Sequence, residues 1–328
     1  MTKHGTMRHG SLQFWPRKRA EKILPRVKWN SLSKNKGLLG FIGYKVGMSS
    51  AYVRDNTQHS LTKGQRIIIP VTIIELPTIK IFSVRFYKDN KLIGEALNQN
   101  LDKELKKKIK LPNDKLDSKS DKIHKKKIED FKNYDNIKVI VYSQVKKTNI
   151  KKMPDIIEIG LSGSLEEKLN FVKDNLAKEV NISQFLNEEF MKDGLIDFRG
   201  VTKGKGFQGA TKRFGLRLQF HKSEKGVRGP GSGGAWHPAR VEFRQPMAGQ
   251  LGYFTRVINN SKIIEIGNIN EKNINPGNGF KKFGMIKNDY IIVYGSVQGP
   301  SKRPLLITAP IRPTKNQVKK NYEFIELR

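Results

Sequence analysis

The residues best spaced for chemistry are Gly204-Lys205-Gly206-Phe207-Gln208-Gly209, a G-x-G-x-x-G match with Glu224 twenty positions after Gly204. That spacing suits a backbone wrapping a pyrophosphate, but only where the turn opens an apolar-faced helix inside a βαβ unit. Here the continuation ATKRFGLRLQFHK is basic, and Gly215 interrupts any helix. The glycines are better read as points where a backbone passes close to phosphate or sugar. Other chemistry is thinner still. The six histidines (His4, His9, His59, His124, His221 and His237) make no H-x-x-x-H pair, and there is no cysteine. Thiolate nucleophiles, disulfides and Cys-ligated zinc are therefore excluded. No Ser sits in a G-x-S-x-G elbow and no G-x-x-x-x-G-K-[ST] loop occurs. The expectation is a protein with no catalytic residues, no metal and no cofactor.

The surroundings of that motif point to a binding role. Arg199 to Arg256 hold twelve Lys or Arg, twelve Gly and two acids, Glu224 and Glu242. Aromatics stand singly among charges and glycines, so the stretch cannot build its own apolar core. A polyanion with phosphates and deep crevices would neutralise and shape it, and ribosomal RNA fits. The whole chain agrees, with 63 basic and 30 acidic residues and a formal net charge of +33. Such a charge implies strong, salt-dependent attraction to nucleic acid through counterion release. A membrane-surface role would need a basic amphipathic helix beside an apolar anchor, and no such pair is visible. The N-terminus lacks the apolar run of a signal peptide. The longest apolar stretch, Ile67 to Leu76, is interrupted by Pro70 and Glu75 and is too short to span a bilayer.

Positioning this segment falls to the rest of the chain. Residues 1–36 carry ten Lys or Arg against Glu21 alone. Trp15-Pro16-Arg17-Lys18-Arg19 and Pro25-Arg26-Val27-Lys28-Trp29 read as extended basic segments with aromatic anchors, and the prolines argue against one helix. From Leu38 the runs LLGFIGYKVGM, AYVR, IIIPVTIIEL and KIFSVRFY read as strands, and KIIEIG, NDYIIVYGSV and RPLLITAPI repeat that texture near the end. Strands flanking the middle of the chain suggest an antiparallel barrel or sandwich closed by both halves. Between Lys88 and Asp193 lies an inserted α+β region. Leu101, Leu105 and Ile109 predict a helical face, and DKIHKKKIEDFKNY predicts a second, Lys-rich helix. Ser164 and Glu167 predict a capping box opening a helix with Leu165, Leu169, Val172 and Leu176 on one stripe. The Lys runs at 106–108 and 125–127 read as solvated faces. In Gly229-Pro230-Gly231-Ser232-Gly233-Gly234-Ala235-Trp236-His237-Pro238 the glycines give a narrow turning point. Trp236 at its tip suits stacking among bases.

These residues resemble the family of universal large-subunit ribosomal protein number three, in its archaeal and eukaryotic form. The carrying motifs are Arg8-His9-Gly10-Ser11-Leu12, Pro16 to Ala20, Gly40 to Met48, Val201 to Gly209, and Trp236 to Arg240. Ala248-Gly249-Gln250, Gly252-Tyr253, Asn288-Asp289-Tyr290, Gly295-Ser296-Val297 and Gly299-Pro300 add to them. The similarity covers nearly the whole chain and is weakest from about Lys88 to Ile156. It implies a mainly β protein with an α+β insertion. Its body would be a six-stranded translation-protein-type β-barrel, with a long basic N-terminal arm and a Gly/Arg/Lys-rich central extension.

On that plan 1–36 is the arm, 37–87 the first barrel half and 88–193 the insertion. A barrel strand follows at 194–204, then the RNA-threading extension at 205–258, the second barrel half at 259–312 and a C-terminal segment at 313–328. The resemblance further implies binding to large-subunit (23S-type) rRNA near its 3′ end, an early role in subunit assembly, and a cytoplasmic ribosomal location. The extension would run toward the peptidyl transferase centre, with Trp236 near where aminoacyl-tRNA enters. Neighbours would include large-subunit proteins fourteen and twenty-four-e, with no membrane and no small-molecule substrate. Lys203, Lys205, Lys212, Arg213, Arg217, Lys222, Lys225, Arg228, Arg240 and Arg244 are the expected phosphate ligands, fixing register without reading sequence. Arg8, His9, Arg17, Lys18, Arg19, Arg26 and Lys28 join them from the arm. His221, Trp236, His237, Gln250 and Arg256 join them from the extension. Gly229 to Ala235 carries no charge, whereas relatives are usually more basic before the Trp. Two other functions fit the composition: an RNA-processing enzyme with a barrel module, and a soluble translation factor that visits the ribosome.

Overall fold

The computed structural model describes residues 10–32, 37–110, 128–131, 133–186, 193–237 and 239–328. It is mainly β. The chain divides into two compact units, one of residues 1–23 with 201–256 and one of 24–200 with 257–328. In chain order the strands are β1 (Gly37–Leu38), β2 (Gly40–Asp55), β3 (Arg66–Leu76), β4 (Ile79–Lys88), β5 (Lys91–Leu97), β6 (Asn136–Ser143) and β7 (Ile156–Ser162). They continue as β8 (Leu195–Val201), β9 (Gly204–Gln208), β10 (Gly249–Gly252), β11 (Thr255–Asn268), β12 (Asp289–Tyr294), β13 (Pro304–Thr308) and β14 (Tyr322–Leu327).

The larger unit holds two sheets. One has the order β13-β8-β11-β12-β3-β2-β14, and β13 pairs with β2 as well as with β8. The long strand β2 serves two neighbours along one edge, β13 at Gly40–Tyr44 and β14 at Ala51–Asp55. The β-branched run of β3 explains its place in the middle of the sheet, buried from Val71 to Leu76. Pro70, which has no amide to give, lies just beyond the β12 ladder, whose register ends at Val71. Its carbonyl still accepts from the Gly295 amide at 2.8 Å.

The second sheet has the order β1-β7-β6-β4-β5 and shares one hydrophobic core with the first. Phe41, Phe185 and Phe198 are fully buried there. Tyr44 of β2 crosses to the other sheet, bonding Ser143 Oγ at 2.7 Å and Asp155 Oδ2 at 2.5 Å. On the outer face of this sheet Leu101, Leu105 and Ile109 pack with Phe82, Ile140 and Tyr142. The expected stripe is therefore used, but its helix is a short 3₁₀ turn, Lys103–Lys107. Lys108 leaves the helical path to reach the Pro154 carbonyl at 3.0 Å, and on a longer helix Lys106 and Lys107 would be repelled by Lys110, four and three positions on. Most of the second Lys-rich helix, with Lys125 to Lys127, lies outside the described residues. Its described end is a 3₁₀ turn, Ile128–Asp130, followed by Phe131 stacked on Phe86 at 4.6 Å. The capping box forms in both directions, Glu167 N to Ser164 Oγ at 3.3 Å and Ser164 N to Glu167 Oε2 at 2.8 Å. It opens the helix Leu165–Asn175, where Val172 is buried, Leu169 is half-buried and Leu165 is exposed; Leu176, the residue just after it, is half-buried too. No helix among the described residues is long and apolar enough to cross a membrane.

Candidate nucleic-acid interface

The smaller unit is built on the ladder of β9 and β10. Gly249 faces Gln208, Gln250 faces Phe207 and Gly252 faces Gly204, all antiparallel. The G-x-G-x-x-G motif thus lies on a hairpin-like strand, not at a βαβ turn. The helix after it, Ala210–Phe214, has five residues and ends at Gly215, whose φ of +67 supplies the left-handed cap. Residues 209–248 leave and return through the ladder with no further strand or helix among the described residues. Side-chain-to-backbone bonds fold the outgoing pass on itself, Thr211 Oγ1 to Arg228 O at 2.9 Å, and tie it to the return, Gln245 Nε2 to Ser232 O at 3.2 Å. The second of these closes a loop around Trp236, where the Ala239 amide returns to the Trp236 carbonyl at 2.9 Å.

The N-terminal segment fastens to the base of this excursion through aromatic and guanidinium planes. Trp15 stacks on Phe214 at 5.6 Å and meets Phe243 edge-on at 6.0 Å. Arg17 lies over the Phe214 ring at 4.2 Å, and its NH1 donates to the Arg213 carbonyl at 2.7 Å. Arg213 in turn donates to the carbonyls of Gln250 and Met247, each at 3.0 Å. Arg256 covers Phe14 at 4.2 Å. Partial burial lowers the pKa of Arg17, and the nearby charges of Arg213 and Arg256 lower it further. Three guanidiniums held this close form a cation-rich base that an anion would relieve.

The expected site residues therefore fall into groups. Arg17, Arg213 and Arg256 are half-buried and spend donors or faces inside the chain, and Gln250 is half-buried with its amide on the Leu251 and Gly252 carbonyls. Lys18, Arg19, Lys203, Lys205, Lys212 and Arg217 are exposed, as are His221, Lys222, Lys225, Arg228, His237 and Arg240. Arg244 is exposed but pairs with Glu242 at 3.2 Å. Arg26 and Lys28 are exposed on the larger unit. Arg8 and His9 lie outside the described residues, as does Pro238. Trp236 is 88% exposed. Phe207, Phe220 and Phe243 are 77%, 68% and 68% exposed and join the expected residues as further stacking candidates. Their signal in the sequence is that each stands singly among polar, charged or glycine neighbours, the pattern of base-stacking platforms. Among the described residues, no group of three or more His, Asp and Glu gathers as metal ligands.

This arrangement can hold phosphates and stack bases. Comparison with known proteins agrees with it. The ribosomal protein L3 family model matches residues 1–328. The chain belongs to the ribosomal protein L3 family. Large ribosomal subunit protein uL3 of Methanobrevibacter smithii is 43% identical to this L3-family chain over 327 residues, covering 95% of it and 94% of the relative. The uL3 of Methanocaldococcus jannaschii is 41% identical, covering 95% and 93%, and that of Archaeoglobus fulgidus 36%, covering 95% and 94%. L3 proteins are structural and not enzymes, which removes the RNA-processing alternative.

Proposed function

We propose that the protein is a structural component of the large subunit of the cytoplasmic ribosome, binding large-subunit rRNA directly near its 3′ end and acting early in assembly. Its extension, 205–258, threads toward the peptidyl transferase centre with Trp236 leading. One observation carries this reading. Trp236 stands exposed on an excursion, 209–248, in which only Ala210 and Pro246 are buried among the described residues. A chain segment that buries so little apolar surface has no folding energy of its own and needs a partner that supplies it. The surrounding Lys and Arg make that partner a polyanion. With roughly ten phosphate contacts, affinity would fall by several decades between low and moderate salt.

On this reading β2, β3, β12, β11, β8 and β13 form the six-stranded translation-protein-type barrel, with 88–193 inserted. What supports it is that each of these strands pairs with the next and β13 pairs back to β2. Proteins fourteen and twenty-four-e remain the expected neighbours. The test is sedimentation of the tagged native protein through a high-salt gradient, with a photo-crosslinking residue at position 236. Co-migration with intact large subunits and crosslinks to catalytic-centre RNA are expected. Protein released while subunits stay whole would mark a visiting factor and end the proposal.

A further inference from the structure

In the larger unit a pocket of about 260 Å³ opens beside β6 and β7. Its wall is Trp29, buried against Gly160, where any Cβ would strike the indole. Lys138 and Lys168 line it, and among the described residues no carboxylate does. The charges around Lys138 already balance. Glu158 meets Lys138 at 3.3 Å and Arg85 at 2.9 Å, and Arg85 also meets Glu95 at 2.9 Å, two cations with two acids. Lys168 is different. Among the described residues its ammonium has no carboxylate partner and bonds only Asn136 Oδ1, at 2.9 Å. Asn136 Oδ1 also accepts from the Ile137 amide at 2.8 Å. With that oxygen used twice as acceptor, the orientation of the amide is fixed and its nitrogen is left as a donor. Asn30, also in the lining, is exposed. The neighbouring helix does not supply the attraction, because Glu167 already caps its N-terminus.

We propose that this pocket takes one backbone phosphate of large-subunit rRNA, held by Lys168 with the amide nitrogens of Asn136 and Asn30. It is an anchor additional to the glycine-rich extension, and the assignment rests on the RNA-binding reading above. An ammonium with only a neutral partner, part-desolvated among donors, is unbalanced until an anion arrives; burial lowers its pKa. The oxygens of one phosphodiester group can accept from such donors, and its charge meets the ammonium's need.

The test uses the full chain and a transcript of the 3′-terminal domain of large-subunit rRNA. Lysine acylation read by mass spectrometry is expected to show Lys168 protected at least fivefold by the transcript and unprotected by 10 mM inorganic phosphate alone. Equal protection by phosphate alone would assign the pocket to a small anion and overturn the RNA assignment. Lys168→Gln is expected to weaken transcript binding about three- to tenfold and reduce the salt slope by about one, while Lys168→Arg keeps the slope. A wild-type slope in Lys168→Gln would overturn the inference. The double variant Lys203→Gln/Lys205→Gln, run alongside, separates the two claims. A flattened slope there with none at Lys168 leaves the RNA reading standing and removes the pocket. Failure of the wild-type chain to bind the transcript removes both.

Discussion

Gly252 lies so close to the carbonyl of Lys203 that a Cβ there would collide with it, and the Tyr253 amide donates to that same carbonyl at 3.1 Å. The contact closes the β9–β10 ladder from which the whole excursion departs. Gly252 also has φ +72. Gly252→Ala therefore adds roughly 1–2 kcal/mol of left-handed strain to a backbone clash. The ladder is expected to open. Limited proteolysis should then cut within 204–252 much faster than in wild type, with the urea transition of the larger unit unmoved.

Arg17 joins stacking on Phe214 to a bond with the Arg213 carbonyl, a combination that needs a planar guanidinium. Arg17→Lys keeps the charge and loses the fork. Docking of residues 12–20 should weaken by about 1 kcal/mol, the scale of one exposed cation–π contact. Amide exchange across that segment is expected to quicken about fivefold, and unchanged exchange would show the stacking to be idle.

Glu75 is fully buried in β3 and accepts from the amides of Lys287 and Asn288 at 2.9 and 3.2 Å. Burial pushes its pKa up from 4.5 to about 7, against the pull of those amides and of the Lys287 charge. The folded chain therefore keeps a proton that the unfolded chain has lost between about pH 4.5 and 7. Stability from this group is complete below that window, falls as pH rises through it, and is flat above. The shift corresponds to roughly 3 kcal/mol. Glu75→Gln should match wild type in urea melts near pH 4.5 and exceed it by up to about that amount at pH 8. Parallel melts at both pH values would refute this.

Trp236→Ala removes a side chain that packs on little of its own protein, so the melting of the purified chain should not change. Stacking on a base is worth about 1–3 kcal/mol. Subunits carrying the variant are expected to accommodate aminoacyl-tRNA at least several-fold more slowly. Wild-type elongation rates would remove the assigned role of the tip.

Much of this molecule was legible in the sequence because its signals are local. The β-branched runs from Leu38 to Tyr87 became β2 to β4, and Ser164 with Glu167 named a helix start that forms as read. The stripe of Leu101, Leu105 and Ile109 found its cluster, although the spacing could not reveal that Lys108 would leave the helix for Pro154. Partners far along the chain left no mark. Trp29 read as the anchor of a basic segment, and no local pattern around it reveals its seat against Gly40 and Gly160. Charge alone likewise marked Arg17 and Arg213 for phosphate. That they also bind the chain to itself follows from a contact spanning 196 positions.

Gln208 and Gly249 are ladder partners, so everything between them is bracketed by two facing residues. The excursion is in that sense a cassette. A two-residue turn could bridge the same gap, leaving a shortened chain with its ladder intact. Lineages could lengthen, trim or retune the tip without renegotiating the strands that carry it. On the proposed function, a version lacking the excursion would compete for the same seat while presenting nothing beyond it.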